Sequence, residues 1–322
     1  YLNTYLSALA PLLARPDVTD IFVNQPHEVW IETIAGGLER HDAPGLDDTT
    51  LWRLARQIAS LSHQGVNREH PLLSATLPDG ARVQVIAPPA TRGPMAIAVR
   101  KHIVADLSLE EYDRAGFFAD VRISPEGQSA LDRELAAKLA ARDVKSFFRQ
   151  AVQGRKNIVV AGGTSSGKTT FVNALLKEIP RHERLILIED AAEVKVEHPN
   201  ALGLLAVKGE TGEARVTAED LLQASLRMRP DRIIMGELRG REAASFLRAV
   251  NTGHPGSITT LHADSAEGAV DQLSMMVLQA GLNLGREEIS RYVRSVVDIF
   301  VQLARVDGRR RVSQIVFNGA PA

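Results

Sequence analysis

The chain has 322 residues, room for about two domains of ordinary size. Its 38 Lys and Arg balance 39 Asp and Glu, a formal net charge of −1 that argues against a nucleic-acid coat protein or a polybasic membrane binder. With no cysteine, a disulfide scaffold, a cysteine-ligated zinc and thiol catalysis are all excluded, and the composition fits the cytoplasm.

No basic leader with an apolar run opens the chain, so no signal peptide is expected, although the first residue is Tyr1 rather than Met. No stretch reaches the roughly 18 apolar residues of a membrane span, so any membrane association is expected to be peripheral. Leu2 to Leu13 reads as a helix stopped by Pro16. Ile21–Asn24 and Glu28–Glu32 read as a hairpin around Gln25-Pro26-His27. Thr50 to Ser62 reads as a second helix. Arg82–Ile86 alternates as a strand, and Ala96–Arg100 follows as another, with Pro88-Pro89 and Gly93-Pro94 as turn material between them.

Asp120 to Asp132 mixes Pro, Gly and Ser with charges and reads as a linker entering a helix. The segment 130–150 has helical composition. Beyond it, strand candidates Ile158–Ala161, Leu185–Ile188, Ile233–Met235, Ile258–Leu261 and Ile299–Leu303 alternate with helix candidates. That alternation predicts a mainly parallel sheet with crossover helices. Arg311 to Phe317 follows Asp307-Gly308 and reads as an added edge strand. The expected organisation is an α+β N-terminal domain over 1–104, a linker over 105–135 and an α/β P-loop domain over 136–322.

The chemistry concentrates in Gly162-Gly163-Thr164-Ser165-Ser166-Gly167-Lys168-Thr169, which matches GxxxxGK[ST] between a predicted strand and a predicted helix. Glycines let such a loop wrap with its amides inward, where they cradle phosphate oxygens, and the helix start adds its positive end. Lys168 is expected to reach the β and γ phosphates of ATP, and the Thr169 hydroxyl to ligate Mg2+. Thr170 completes the binding segment.

Hydrolysis also needs a group that orients water. The strand Ile233–Met235 runs into Gly236-Glu237, and ligands of an open α/β sheet bind beyond the carboxyl ends of its strands. Glu237 is the candidate for polarising the water. Gly236 stands where such a strand commonly carries a metal-binding Asp. The alternative for Glu237 is an ion pair with Arg239 or Arg241. Two further strands end in polar groups on the same edge: Glu189-Asp190, with Glu193 just beyond, and His262. Glu189 is a candidate for positioning magnesium or water, and His262 for sensing the γ-phosphate or a neighbouring subunit. Gly253-His254-Pro255-Gly256-Ser257 reads as a structural turn.

Together the P-loop, the Glu189-Asp190 segment, Met235-Gly236-Glu237 and the stretch from Gly253 to His262 resemble the four boxes of the type II/type IV secretion ATPase superfamily. Thr19–Asn24, Glu28–Glu32 and Pro78–Val83 resemble its N-terminal domain, so the likeness runs along nearly the whole chain. The lack of cysteine separates the chain from the zinc-bearing type II branch, and the long connection Leu107 to Leu131 resembles one branch of the type IV secretion ATPases. The resemblance implies a RecA-like C-terminal domain, ATP hydrolysis, a homo-hexameric ring, and secretion-system partners at the cytoplasmic face of the inner membrane. It also implies that Arg82 and Arg100 touch the nucleotide phosphates, with Arg227 and Arg229 as weaker candidates for nucleotide or subunit contacts.

Two other functions are open on the residues alone. A nucleotide-gated scaffold is compatible with the missing Walker B Asp, and a pilus or type II secretion ATPase shares the boxes. A DNA-translocating ring is disfavoured by the neutral charge and by an aromatic content of 5%, which leaves no stacking surface, so no direct nucleic-acid partner is expected.

Overall fold

The computed structural model describes residues 6–102, 108–119, 129–207, 213–281 and 284–319. Among these, the first sheet holds six strands: β1 (Val18–Val23), β2 (His27–Thr33), β3 (Leu38–Ala43), β4 (Leu72–Thr76), β5 (Arg82–Ile86) and β6 (Ala96–Arg100). Their order is β3-β2-β1-β6-β5-β4, and every neighbouring pair is antiparallel. The predicted hairpin is β1–β2. Strands β3 and β4 are additions to the sequence reading.

Successive side chains of a strand face opposite ways, and both faces of this sheet are used. Ile21, Val23, Ile97 and Val99 join the core under helix α2 (Asp48–Leu61), through Leu51, Leu54, Ala55 and Ile58. Asp47 caps that helix by accepting the Thr50 amide at 2.7 Å. Phe22, Ala96 and Ala98 point the other way, into the core of the second layer. The expected N-terminal helix is shorter than predicted. Helix α1 covers Ala10–Ala14 with Pro11 in its first turn, Arg15 is already extended before Pro16, and residues 2–5 of the prediction lie outside the described residues. Much of the predicted linker also lies outside them; of the rest, Leu109–Arg114 forms a short helix, α3.

The second sheet comprises β7 (Ile158–Gly162), β8 (Leu185–Glu189), β9 (Ala201–Leu205), β10 (Arg232–Met235), β11 (Ile258–Leu261), β12 (Ile299–Val306) and β13 (Arg309–Phe317), in the order β13-β12-β7-β11-β10-β8-β9. All its pairings are parallel except the antiparallel β12–β13, where β13 is the added edge strand expected from the sequence. Helices α4 (Ala130–Ala140), α5 (Val144–Gln153) and α6 (Lys168–Leu176) contribute Leu135, Phe147, Val152 and Leu175 to one face. Helices α7 (Ala218–Ser225), α8 (Glu242–Asn251), α9 (Ala266–Gln279) and α10 (Arg286–Val296) cover the other with Leu222, Phe246, Leu273 and Val293. The helical segment 130–150 is not one helix. Arg142 takes a left-handed φ of 58°, and Asp143 restarts the chain by accepting the Ser146 amide.

The two sheets meet through a buried polar seam. The Arg184 side chain is fully buried and lies 4.1 Å from the Phe22 ring. It donates to Asn24 Oδ1 at 2.9 Å, to Asn200 Oδ1 at 2.5 Å and to the Met228 carbonyl at 2.9 Å. Burial pushes this guanidinium down to about 9, which leaves it charged at neutral pH. Arg229 pairs with Asp231 at 2.6 Å on its own side and with Glu32 across the seam. The loop between β5 and β6 reaches β9: the Leu205 amide donates to the Ala90 carbonyl, and the Arg92 amide to the Gly203 carbonyl, each at 2.9 Å.

Candidate active site

The P-loop runs from the end of β7 into α6, as its strand-then-helix context predicts. Gly162 is required for close approach, because a Cβ there would stand 2.5 Å from Ser166 Oγ and 2.8 Å from the Leu303 carbonyl. Gly167 caps α6 at φ 97°, a conformation that side chains disfavour. Lys168 Nζ turns back over the loop, donating to the Gly162 carbonyl at 2.8 Å and the Gly163 carbonyl at 3.3 Å. Burial pulls this ammonium below its ordinary value, and the facing Glu237 carboxylate works against that.

The loop opens into a cleft of about 560 Å³ at the carboxyl ends of β7, β8, β10 and β11. Thr164 to Thr170 line it together with Glu189, Glu193, Glu237 and His262, so the structure gathers these sequence candidates at one place. Glu237 is held by Arg239 on one side and faced by His262 on the other. Its Oε2 accepts from Arg239 at 2.6 Å, and its Oε1 lies 2.8 Å from His262 Nε2. The ion pair considered from sequence is thus present, with Arg239 as the partner, and Glu237 still faces the cleft. Thr260 fixes the end of β10 by donating to the Gly236 carbonyl at 2.7 Å. Gly236 also has a packing reason: a Cβ there would stand 2.9 Å from Glu189 Cγ.

Glu189 is occupied differently from its expected role. It is buried, its Oε1 accepts the amides of Glu193 at 3.1 Å and Val194 at 2.9 Å, and its Oε2 pairs with Arg92 from the first sheet. The carboxylate nearest the metal-binding candidate is instead Glu193, whose Oε2 accepts from Thr169 Oγ1 at 3.2 Å. Two oxygen ligands of this kind, one at the end of the phosphate-binding loop and one on the segment after β8, suit magnesium.

Arg82 and Arg100 are not in this cleft. They line a separate cavity of about 680 Å³ with Ser62, Ser74 and Arg227, and Arg100 pairs with Asp20 at 2.8 Å. The sequence reading also missed Arg310. It lies in β13, donates to the Ser165 carbonyl at 3.1 Å and packs its Cδ against Gly167. Only the sheet order brings it there, since β12 pairs with both β7 and β13. The turn 253–257 is structural, as expected: His254 Nδ1 donates to the Pro230 carbonyl at 2.8 Å, and Ser257 Oγ accepts the Ile233 amide at 3.1 Å.

Comparison with known proteins adds an independent line. A family described as "Type II/IV secretion system protein" matches residues 4–313. The type IV secretion system protein VirB11 of Bartonella quintana is 38% identical over 329 residues, covering 98% of this chain and 92% of that protein. VirB11 of Brucella suis is 41% identical over 307 residues, covering 94% and 85%. The crystal structure of the Brucella suis VirB11 ATPase in complex with sulphate superimposes with a TM-score of 0.92 at 39% identity, covering 99% of this chain and 98% of that one.

Proposed function

Because this chain belongs to the type II/IV secretion system protein family, we propose that it is an ATP-hydrolysing motor powering substrate export or channel assembly in a bacterial type IV secretion system. The observation that carries this reading is the single cleft in which Lys168, Thr169, Glu193 and Glu237 converge. In this reading the first sheet belongs to an N-terminal domain over 1–104 and the second to a RecA-like domain over 136–322, with a linker over 105–135 whose end is already taken up by α4 from Ala130.

In this reading the P-loop amides and the start of α6 hold the phosphates of ATP. Lys168 leaves the loop carbonyls to meet the β and γ phosphates. Thr169 would hold magnesium with Glu193 beside it, and the ion would supply charge neutralisation for phosphoryl transfer. Glu237 orients the attacking water, and Arg239 and His262 set its direction. Glu189 supports Glu193 from behind. Catalysis is then positioning plus electrostatics. Arg310 adds positive charge at the cleft mouth.

Arg82, Arg100 and Arg227 act across a subunit interface in this reading, because their cavity shares no lining residue with the P-loop cleft. A homo-hexameric ring provides such an interface. Among the described residues no helix is long and apolar enough to cross a membrane, and a peripheral place at the cytoplasmic face of the inner membrane follows from the function. The test is ATPase activity with particle size measured with and without nucleotide. Lys168→Ala should lose nucleotide binding and turnover together, and a wild-type protein that is monomeric and inert in every state would sink the reading.

A further inference from the structure

The guanidinium of Arg92 enters the second sheet from the first and stops directly behind the nucleotide cleft. Its Nη2 pairs with Glu189, and its Nη1 donates to the Val194 carbonyl at 2.8 Å. The same Glu189 carboxylate receives the amides of Glu193 and Val194 on its other oxygen. Glu193 in turn receives the Thr169 hydroxyl. An unbroken line of contacts therefore runs from the first sheet to the P-loop threonine.

The passage is shaped for this side chain. Arg92 crosses β9 at Gly203, where a Cβ would overlap its Cδ and stand 2.9 Å from its Nε. Its amide donates to the Gly203 carbonyl, so main chain and side chain are both anchored there. The side chains of Arg92 and Glu189 are only 19% and 4% exposed, so the pair is shielded from screening by salt. A lysine could pair with Glu189 but lacks the planar fork that also reaches the Val194 carbonyl.

We propose that Arg92 is a positioning residue for hydrolysis: by clamping Glu189 and Val194 it holds Glu193 against Thr169, and it makes turnover conditional on the first sheet being docked. The inference rests on the ATPase reading above and adds to it the device that ties domain position to chemistry. Removing the clamp should spare the P-loop, which Arg92 does not touch, and disturb only the loop 190–194.

The test compares Arg92→Ala, Arg92→Lys and Gly203→Ala with Glu32→Gln, which takes the negative charge out of a different contact between the sheets, the one to Arg229. The readouts are kcat, KM for ATP with magnesium, and hydrogen exchange at the Glu193 and Val194 amides. Arg92→Ala should lower kcat about tenfold or more with KM within about threefold, the pattern of a group lost from the chemical step rather than from binding. The two amides should lose protection in step. Arg92→Lys should fall between it and wild type. Gly203→Ala, which displaces the guanidinium without deleting it, should resemble Arg92→Ala and decides the matter if that variant does not fold. Glu32→Gln should leave kcat and both amides near wild type. Wild-type turnover in Arg92→Ala, or an equal loss of turnover in Glu32→Gln, would overturn the proposal. If the wild-type protein shows no hydrolysis that Lys168→Ala removes, the ATPase reading has failed; amide protection in Arg92→Ala then still decides whether Arg92 holds the loop.

Discussion

His262 Nε2 lies 2.8 Å from Oε1 of Glu237, while Arg239 takes the other oxygen of the same carboxylate at 2.6 Å. A carboxylate with one oxygen held by Arg239 and the other facing the His262 ring has a restricted direction, which a water-orienting group needs. Glu237 comes from the end of β10 and His262 from the end of β11, so the parallel pairing of those strands creates the contact.

Glu237→Gln keeps the shape and removes the charge. ATP affinity should stay within a few-fold of wild type, and kcat should fall by about 10²–10⁴, the usual worth of a positioned general base. His262→Ala should cost less than Glu237→Gln, because Arg239 still holds the carboxylate. Equilibrium binding of a fluorescent ATP analogue beside steady-state turnover separates the two effects, and wild-type kcat in Glu237→Gln would reject the role.

Arg310 touches the P-loop without belonging to its motif. Arg310→Ala should raise KM for ATP by about threefold to tenfold, the scale of one ordinary hydrogen bond. The kcat should hardly change, since the hydrogen bond of Arg310 goes to the Ser165 carbonyl and not to the water-orienting carboxylate. A salt titration of KM should flatten in the variant.

The buried pair Arg232–Glu183 predicts a stability effect instead. Arg232 is fully buried, donates to both Glu183 oxygens at 2.6 and 2.8 Å and reaches the Val152 carbonyl at 2.7 Å. Arg232→Ala leaves buried Glu183 with only the longer contact to Arg155 at 3.5 Å, so it should destabilise the fold by about 3 kcal/mol, the low end for a broken buried pair. The double variant Arg232→Met with Glu183→Met should lose much less than the sum of the single losses. Urea unfolding measures both.

Acid should weaken the fold through His254. Burial holds this imidazole below its ordinary value, although its hydrogen bond to the Pro230 carbonyl opposes the shift. As pH falls through about 6.5, the unfolded chain takes up the proton first, so stability is lost down through the lower folded value. His198 is shifted the same way by burial. The melting temperature should therefore decline on acidification from neutrality, and His254→Asn should reduce that slope.

Much of this architecture is legible in the sequence, because the strands of the second sheet are short apolar runs closed by turn residues. The misses have specific causes. Strand β3 reads Leu-Glu-Arg-His-Asp-Ala, and its charge hides a sheet-edge position where Arg40 pairs with Glu28 and Asp42. Strand β9 is interrupted by Gly203, whose missing side chain serves Arg92, more than a hundred residues earlier in the chain. The P-loop cleft is legible because one contiguous motif builds it. The engagement of Glu189, the approach of Glu193 to Thr169 and the arrival of Arg310 all depend on pairings distant in sequence, which no local spacing encodes.

The contact of residues 90–92 with β9 has one more consequence. Strand β9 ends the second sheet, and an open sheet edge is a template on which another chain can add. Here the Gly203 carbonyl and the Leu205 amide are already taken by the loop from the first sheet, with Thr91 bridging Leu204. The loop from the first sheet thus guards this edge against strand addition by another copy. A fragment beginning at α4 would keep every P-loop residue yet present a bare strand edge to its copies, and should aggregate where the full chain stays dispersed.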